Sequence, residues 1–467
     1  MMIKPSISAQ LARFVVELGA DALPREVIER AKEILLDFVG VALIGSTTAW
    51  SRGVQDLALD EGARPESTIF GSGRVSRRLA ALVNGTSAHS LELDDTHEPS
   101  LSHPGCVVNP VVFALAEAKG CTGQELLLAM ILGYEVQCRI GRVLGRHLLA
   151  EGLHPTANLG VFGAVAAAGK LMGLSIEQLT DAIGLAASMM GGTMEFTRDF
   201  ERNLVKRLYG GLPADRGILA AQLAGNGISA PRTNIEGSCG VAQVLARVTD
   251  LGNISMHLGE SYELMSVSIK RYACCKQFHS MIEAISACQM EHPFAIEAVR
   301  SIEVGATHAM IDGHMEYRPR SIMSAQYSLP FVAAVAMASD PTVPTSFEAS
   351  AWGDEKLLQI SEKVRETWDP RLEELYPERF GAWVQIQLVD GQMLKAEVFE
   401  SSSSAQNPLG REKVQAKFRA ITSNILSREK QNFVIQAVMS LEQSSTITSL
   451  METLGHAEQN NIDGRGV

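Results

Sequence analysis

Residues 89 to 110 read His-Ser-Leu-Glu-Leu-Asp-Asp-Thr-His-Glu-Pro-Ser-Leu-Ser-His-Pro-Gly-Cys-Val-Val-Asn-Pro. Three histidines (His89, His97, His103) and four carboxylates (Glu92, Asp94, Asp95, Glu98) fall in this one stretch. Such groups take up and release protons near neutral pH, which is what general acid–base catalysis requires. Pro99, Pro104 and Gly105 break the run, so it cannot be one continuous helix. It reads as a loop on a helical scaffold, the usual place for functional groups. In extended chain, residues two apart face one side, which pairs Glu92 with Asp94 and Asp94 with Thr96. His103-Pro-Gly precedes a helix expected near Pro110, with Asn109 as N-cap. The plainer role for His103 is a turn residue capping local carbonyls. No recognised metal-ligand spacing appears in the run.

Other clusters add cations and further imidazoles. Lys206-Arg207 precedes a Gly pair and could hold a carboxylate, Arg207 in bidentate fashion. In Ile-Lys-Arg-Tyr-Ala-Cys-Cys-Lys-Gln-Phe-His-Ser, His279 falls where a strand gives way to a helix. A helix N-terminus favours anions and lowers the pKa of a nearby histidine, so His279 could act as a neutral base or a donor to a carboxylate. Tyr317 and Arg318 combine a phenol with a cation, with an ordinary surface loop as the plainer reading. His154, in Gly-Leu-His-Pro-Thr, is a ligand contact or only a helix cap.

These groups need a scaffold, and the chain has one. Its 467 residues are 46% hydrophobic, enough for a large buried core. The first half reads as successive helices, among them 123–145, 216–225 and 238–251. Small residues crowd between Gly160 and Gly192, which suits helices packed closely inside a bundle. After residue 266 the pattern changes. Strands are expected at 266–272 and 298–304, helices at 277–290 and 324–338. A hairpin is expected around Asp390-Gly391, and helix returns from Pro408. The fold class expected is mostly α. A large all-α helical domain, discontinuous over 1–266 and 408–467, carries a smaller inserted α+β lid domain at 267–407. The polar tail from His456 is expected to fray.

The net charge of −12 argues against nucleic acid or an anionic membrane as partner, so an anionic substrate needs a local basic cluster. No apolar stretch reaches bilayer length and the N-terminus lacks a signal-peptide pattern, which makes a cytoplasmic protein the expectation. The seven cysteines are scattered without a Cys-x-x-Cys pair. That is neither a disulfide framework nor a zinc or iron–sulfur pattern, and Cys274-Cys275 reads as core packing.

The ordered motifs resemble those of the MmgE/PrpD family, which includes 2-methylcitrate dehydratase and cis-aconitate decarboxylase. They are Leu-Glu-Leu-Asp-Asp-Thr-His with the later His-Pro-Gly, then Leu-His-Pro-Thr-Ala-Asn-Leu-Gly, Val-Lys-Arg-Leu-Tyr, the Ile-Lys-Arg-Tyr-Ala-Cys-Cys segment, and Tyr-Arg-Pro ahead of Ala-Gln-Tyr-Ser-Leu-Pro. The resemblance spans nearly the whole chain. It implies a helical domain with a smaller lid, a homodimer, and catalysis without metal or organic cofactor. Carried over by position, it implies a site of Glu92, Asp94, Thr96, His103, His154, Lys206, His279 and Tyr317. Tyr209 and Tyr327 stand where relatives differ. The activity implied is a lyase acting on a small di- or tricarboxylic acid. A 2-methylcitrate dehydratase-like loss of water comes first. A cis-aconitate decarboxylase-like reaction or epimerisation of an amino-dicarboxylate is the alternative, and a non-enzymatic helical scaffold is the remaining class. His103 is expected as principal acid/base, with Lys206, His279 and Tyr317 binding carboxylates or donating a proton.

Overall fold

The computed structural model describes residues 5–199 and 203–456; the tail beyond His456 lies outside them. The first half is helical: α1 (Ile7–Glu17), α2 (Arg25–Ser46), α3 (Ala49–Asp60), α4 (Arg77–Ala88), α5 (Gly105–Lys119), α6 (Gly123–Ala150), α7 (Pro155–Met172), α8 (Ile176–Ala187) and α9 (Leu208–Gly225). Local chemistry sets several starts. Thr122 with Glu125 and Ser175 with Gln178 form reciprocal capping boxes that satisfy the orphan amides of α6 and α8. The small-residue helix α7 is buried along most of its length and packs on α5, α6, α8 and α9. Close approach is possible only where side chains are missing. A Cβ at Gly217 of α9 would lie 2.2 Å from the Cβ of Ala164.

Three expected helices differ. The helix expected at Pro110 begins at Gly105, because the Asp95 carboxylate accepts from the Gly105 amide at 2.8 Å and supplies a cap from the preceding loop. Only α10 (Val241–Leu245) forms within 238–251, and it ends where Arg247 turns left-handed at φ 55°. The helix expected over 324–338 is broken in two at Tyr327-Ser328, since the Ser328 side chain and Pro330 start a new helix.

After residue 266 come α11 (His279–Glu291), α12 (His308–Ile311), α13 (Ile322–Gln326) and α14 (Leu329–Ala338). Two short ladders stand apart from the main sheet: β1 (Ser67–Thr68) with β2 (Arg74–Val75), and β3 (Thr96–His97) with β4 (Val267–Ser268). The strand expected over 266–272 is therefore only two residues long. β5 (Val299–Ala306), β6 (Val364–Trp368), β7 (Ala382–Leu388) and β8 (Met393–Val398) form a sheet of order β6-β5-β7-β8. β5 and β6 run parallel; the other pairs are antiparallel. The β7–β8 hairpin turns at Gly391, whose φ of 91° suits glycine. The sequence reading passes over β6, an edge strand of mostly polar residues without an apolar run.

Buried apolar residues collect into two large clusters and a small third one of Ala157, Phe196, Tyr209 and Met323. The first runs from Ile7 to Ile269 and resumes from Leu409 to Leu454; the second holds Tyr272 to Leu394, joined by Val41, Leu91 and Leu93. Cys274 and Cys275 are buried free thiols. No single described helix is long and apolar enough to cross a membrane.

Candidate active site

The β3–β4 ladder carries the geometry of the site. It pairs Thr96 with Ser268 and His97 with Val267, tying the 89–103 segment to the chain that leads to Lys270. Beside this seam lies a cavity of about 750 Å³, lined by Glu92, Thr96, His103, His154, Lys270, Cys275, Lys276, His314 and Tyr327 among others.

Glu92 is the hub. Its backbone is left-handed at φ 55°, a costly conformation for a non-glycine residue and one found at functional sites. Its carboxylate is fully buried and meets three cations: the Lys206 amine, Arg207 Nη1 at 2.8 Å and Lys270 Nζ at 3.1 Å. The Tyr327 hydroxyl donates to the same carboxylate at 3.4 Å. Burial alone would raise the Glu92 carboxyl, but Lys206, Lys270 and Arg207 hold it well below the usual range. Burial lowers Lys206 despite Glu92, whereas at Lys270 the attraction of Glu92 and Asp94 outweighs burial and raises it. With Asp94 counted, three cations face two carboxylates. This leaves a net positive charge at the cavity wall, Lys270 lining it and Lys206 and Arg207 buried behind Glu92, inside a protein whose net charge is −12.

The imidazoles stand beside this hub in complementary tautomers. His103 Nδ1 lies 2.7 Å from the Asp95 carbonyl oxygen, which can only accept, so Nδ1 carries the proton and Nε2 is the basic atom. His154 Nδ1 accepts from the Ala157 amide as the N-cap of α7, leaving Nε2–H as a donor. His154 thus both caps the helix and lines the cavity. Burial lowers His103 to about 3, against the opposing pull of Asp94, and lowers His154 well below its usual value. Both rings are therefore neutral at neutral pH. His89 donates from Nδ1 to Asp94 at 2.6 Å, and its ring centroid is 5.2 Å from that of His103.

Asp95 holds this frame. Its side chain accepts from Gly105 N and from the Tyr134 hydroxyl at 2.7 Å, and burial lifts it to about 7. A Cβ at Gly105 would lie 2.6 Å from that carboxylate, so α5 can begin there only with glycine. The Thr156 hydroxyl accepts from the His103 amide, linking His103 to α7.

The structure brings together Glu92, Asp94, Thr96, His103, His154, Lys206 and Arg207, with Lys206 and Arg207 behind Glu92. It places two expected residues elsewhere. His279 is fully buried under Tyr272, ring centroids 5.0 Å apart, and does not line the cavity. One helical residue turns the side chain by roughly 100°, and at the start of α11 that turn aims it into the second apolar cluster. Tyr317 donates to the Val364 carbonyl at 3.4 Å, away from the cavity, while the neighbouring Arg318 pairs with Glu355 and Glu362 on the surface. His97 and Glu98 are also held outside, His97 by Ser100 and Glu263, Glu98 by Ser268. The sequence reading passes over Lys270 and Lys276, although both lie within the motif it quotes, and over His314; Cys275, read as core packing, is buried and also lines the cavity. Among the described residues, the group nearest to a metal site is His89, Asp94 and Cys106, whose donor atoms lie within 4.8 Å of one another. The Lys270 amine, 3.7 Å from Asp94, works against a second cation there.

Fold and site define a mostly helical protein whose cavity suits an organic anion and proton transfer beside it. The chain belongs to the MmgE/PrpD family: the family's N-terminal domain matches residues 9–252 and its C-terminal domain residues 272–443. It is 27% identical to a cis-aconitate decarboxylase-like protein of Aspergillus oryzae, over 96% of both chains. It is 26% identical to the cis-aconitate decarboxylase of Aspergillus terreus, covering 97% of this chain and 96% of that one. With the human cis-aconitate decarboxylase it shares 28% identity, over 97% of this chain and 95% of the other. These relationships support lyase activity.

Proposed function

We propose that the protein is a lyase that cleaves a bond next to a carboxylate in a small di- or tricarboxylic acid, without metal or organic cofactor. The observation that carries this reading is the surplus of buried cations around Glu92 beside neutral His103. We place decarboxylation first and dehydration second, reversing the order the motifs suggested, because the relatives named above are cis-aconitate decarboxylases or resemble them.

In decarboxylation the bond to the departing carboxylate breaks and its electron pair moves into the adjacent unsaturated acid. Lys270 stabilises that charge on a remaining carboxylate, and a proton adds to carbon. His103 supplies the proton. A bound polyanion acts on it as Asp94 does, favouring the imidazolium, so His103 takes up a proton as substrate enters and delivers it from Nε2. Asp95, through its carbonyl, and Thr96, through its hydroxyl, hold the ring in register. The segments on either side of the β3–β4 seam act as body and lid.

The test is a panel of di- and tricarboxylates, including cis-aconitate, incubated with purified protein in deuterium oxide. Carbon dioxide release with one deuterium bound to carbon in the product is expected. Loss of water without carbon dioxide makes the protein a dehydratase, and exchange alone makes it an epimerase. Silence with every acid overturns the reading.

A further inference from the structure

The cavity has a second end. The cavity lining includes Glu92, Lys270, Tyr327 and His314 and, at the exposed surface, Arg198, Glu195 and Asp312, which we take as its mouth. The His314 ring stacks on Tyr327, centroids 5.7 Å apart and planes at 23°, and the Tyr327 hydroxyl reaches Glu92. This pair forms an aromatic wall joining the two ends.

Arg198 forms no ion pair with any described residue. Glu195 and Asp312 share the mouth with it but stand beyond ion-pair distance. Other arginines around the site are committed: Arg207 to Glu92, Arg142 to Glu263, Arg318 to Glu355 and Glu362. The segment that leads to Arg198 is anchored at Thr193 and Phe196. The Tyr209 hydroxyl donates to the Thr193 carbonyl at 3.0 Å and accepts from the Thr193 amide at 3.2 Å. Phe196, buried two residues before Arg198, packs its ring against His154, Tyr209 and Tyr327. Across the mouth, Gly313 lies against the guanidinium; a Cβ there would lie 3.8 Å from Nη1, ordinary van der Waals contact.

We infer that Arg198 is a specificity-determining residue that holds a second, outer carboxylate of the substrate, so that the cavity selects acids carrying carboxylates at both ends. A guanidinium offers two parallel donors that match a carboxylate, and one without an internal partner pays no cost of leaving it. This rests on the function proposed above. The reacting carboxylate region lies at the Lys270–His103 end, and Arg198 acts on binding rather than on the chemical step. Tyr209 is a positioning residue for it.

The experiment measures binding of propane-1,2,3-tricarboxylate, a saturated and unreactive probe, and of butyrate to the full-length protein by calorimetry. The kcat and KM for the best acid of the panel complete it. Arg198→Ala is expected to weaken the tricarboxylate about 10- to 100-fold, the loss of one charge-assisted bidentate contact. KM rises with it while kcat stays within a few-fold, and butyrate binding does not change. Arg198→Lys restores part of the loss, and Tyr209→Phe raises KM in the same direction. Tricarboxylate binding by Arg198→Ala equal to wild type overturns the inference. So does a fall in kcat at constant KM. A wild-type protein that binds no polycarboxylate overturns the parent reading, and this one with it.

Discussion

Lys270 and Glu92 stand 178 residues apart in the chain and meet in a fully buried ion pair of 3.1 Å. The β3–β4 ladder makes the meeting possible, because Lys270 follows the strand that pairs with Thr96. The pair places Lys270, which follows Ile269 of one apolar cluster and precedes Tyr272 of the other, on the cavity wall beside Glu92.

That contact predicts an asymmetry between its partners. Glu92→Gln leaves Lys206, Arg207 and Lys270 facing one another in the interior and should cost about 3–5 kcal/mol in urea unfolding, as for a buried charge stripped of its partner. Lys270→Met leaves Glu92 with two cations and costs less stability, while kcat/KM for the organic acid falls at least about tenfold through loss of a charge-assisted bond. Equal stability of Glu92→Gln and wild type would contradict the hub role of the carboxylate.

His103→Ala should lower kcat by about 10²–10⁴ with the far-ultraviolet dichroism unchanged, the usual cost of deleting a general acid or base. A folded variant with near-normal turnover assigns the proton transfer to another group.

His279 gives the opposite expectation. It faces Tyr272 rather than the cavity, and its two ring nitrogens have no hydrogen-bond partner among the described residues. His279→Leu should keep kcat/KM within a few-fold of wild type. Burial holds the folded-state pKa of His279 well below the ordinary value of about 6.5. A depressed histidine contributes stability above that unfolded value and loses it as pH falls below it. The leucine variant should therefore lose less stability than wild type between pH 7 and pH 5, by the order of one proton's linkage. A collapse of turnover in a stable His279→Leu protein would place the ring in the reaction.

Exhaustive dialysis against EDTA should leave turnover unchanged, because Lys206, Arg207 and Lys270 already supply the positive charge that a metal would bring. A chelator-sensitive rate restored by zinc would direct attention to His89, Asp94 and Cys106.

Much of the helical frame was legible because its signals are local. The apolar spacing over 123–145 and the glycines and alanines of α7 act within a few residues. The elements that failed depend on remote partners. The strand at 266–272 shrinks to the two residues that find a mate in β3, and the start of α5 is set by Asp95 ten residues earlier. β6 exists because β5 accepts it, not because Val-Arg-Glu-Thr-Trp demands it.

The sequence by itself determined which chemical groups were present, their order, and the helices that carry most of them. Only the tertiary structure decided that Lys270 enters the cavity while His279, nine residues later, turns away. It also decided that His103 and His154 expose opposite tautomers and that Arg198 lines the cavity with no ion pair among the described residues. A side chain's direction depends on helix phase and strand register, and these are fixed by packing against segments far away in the chain.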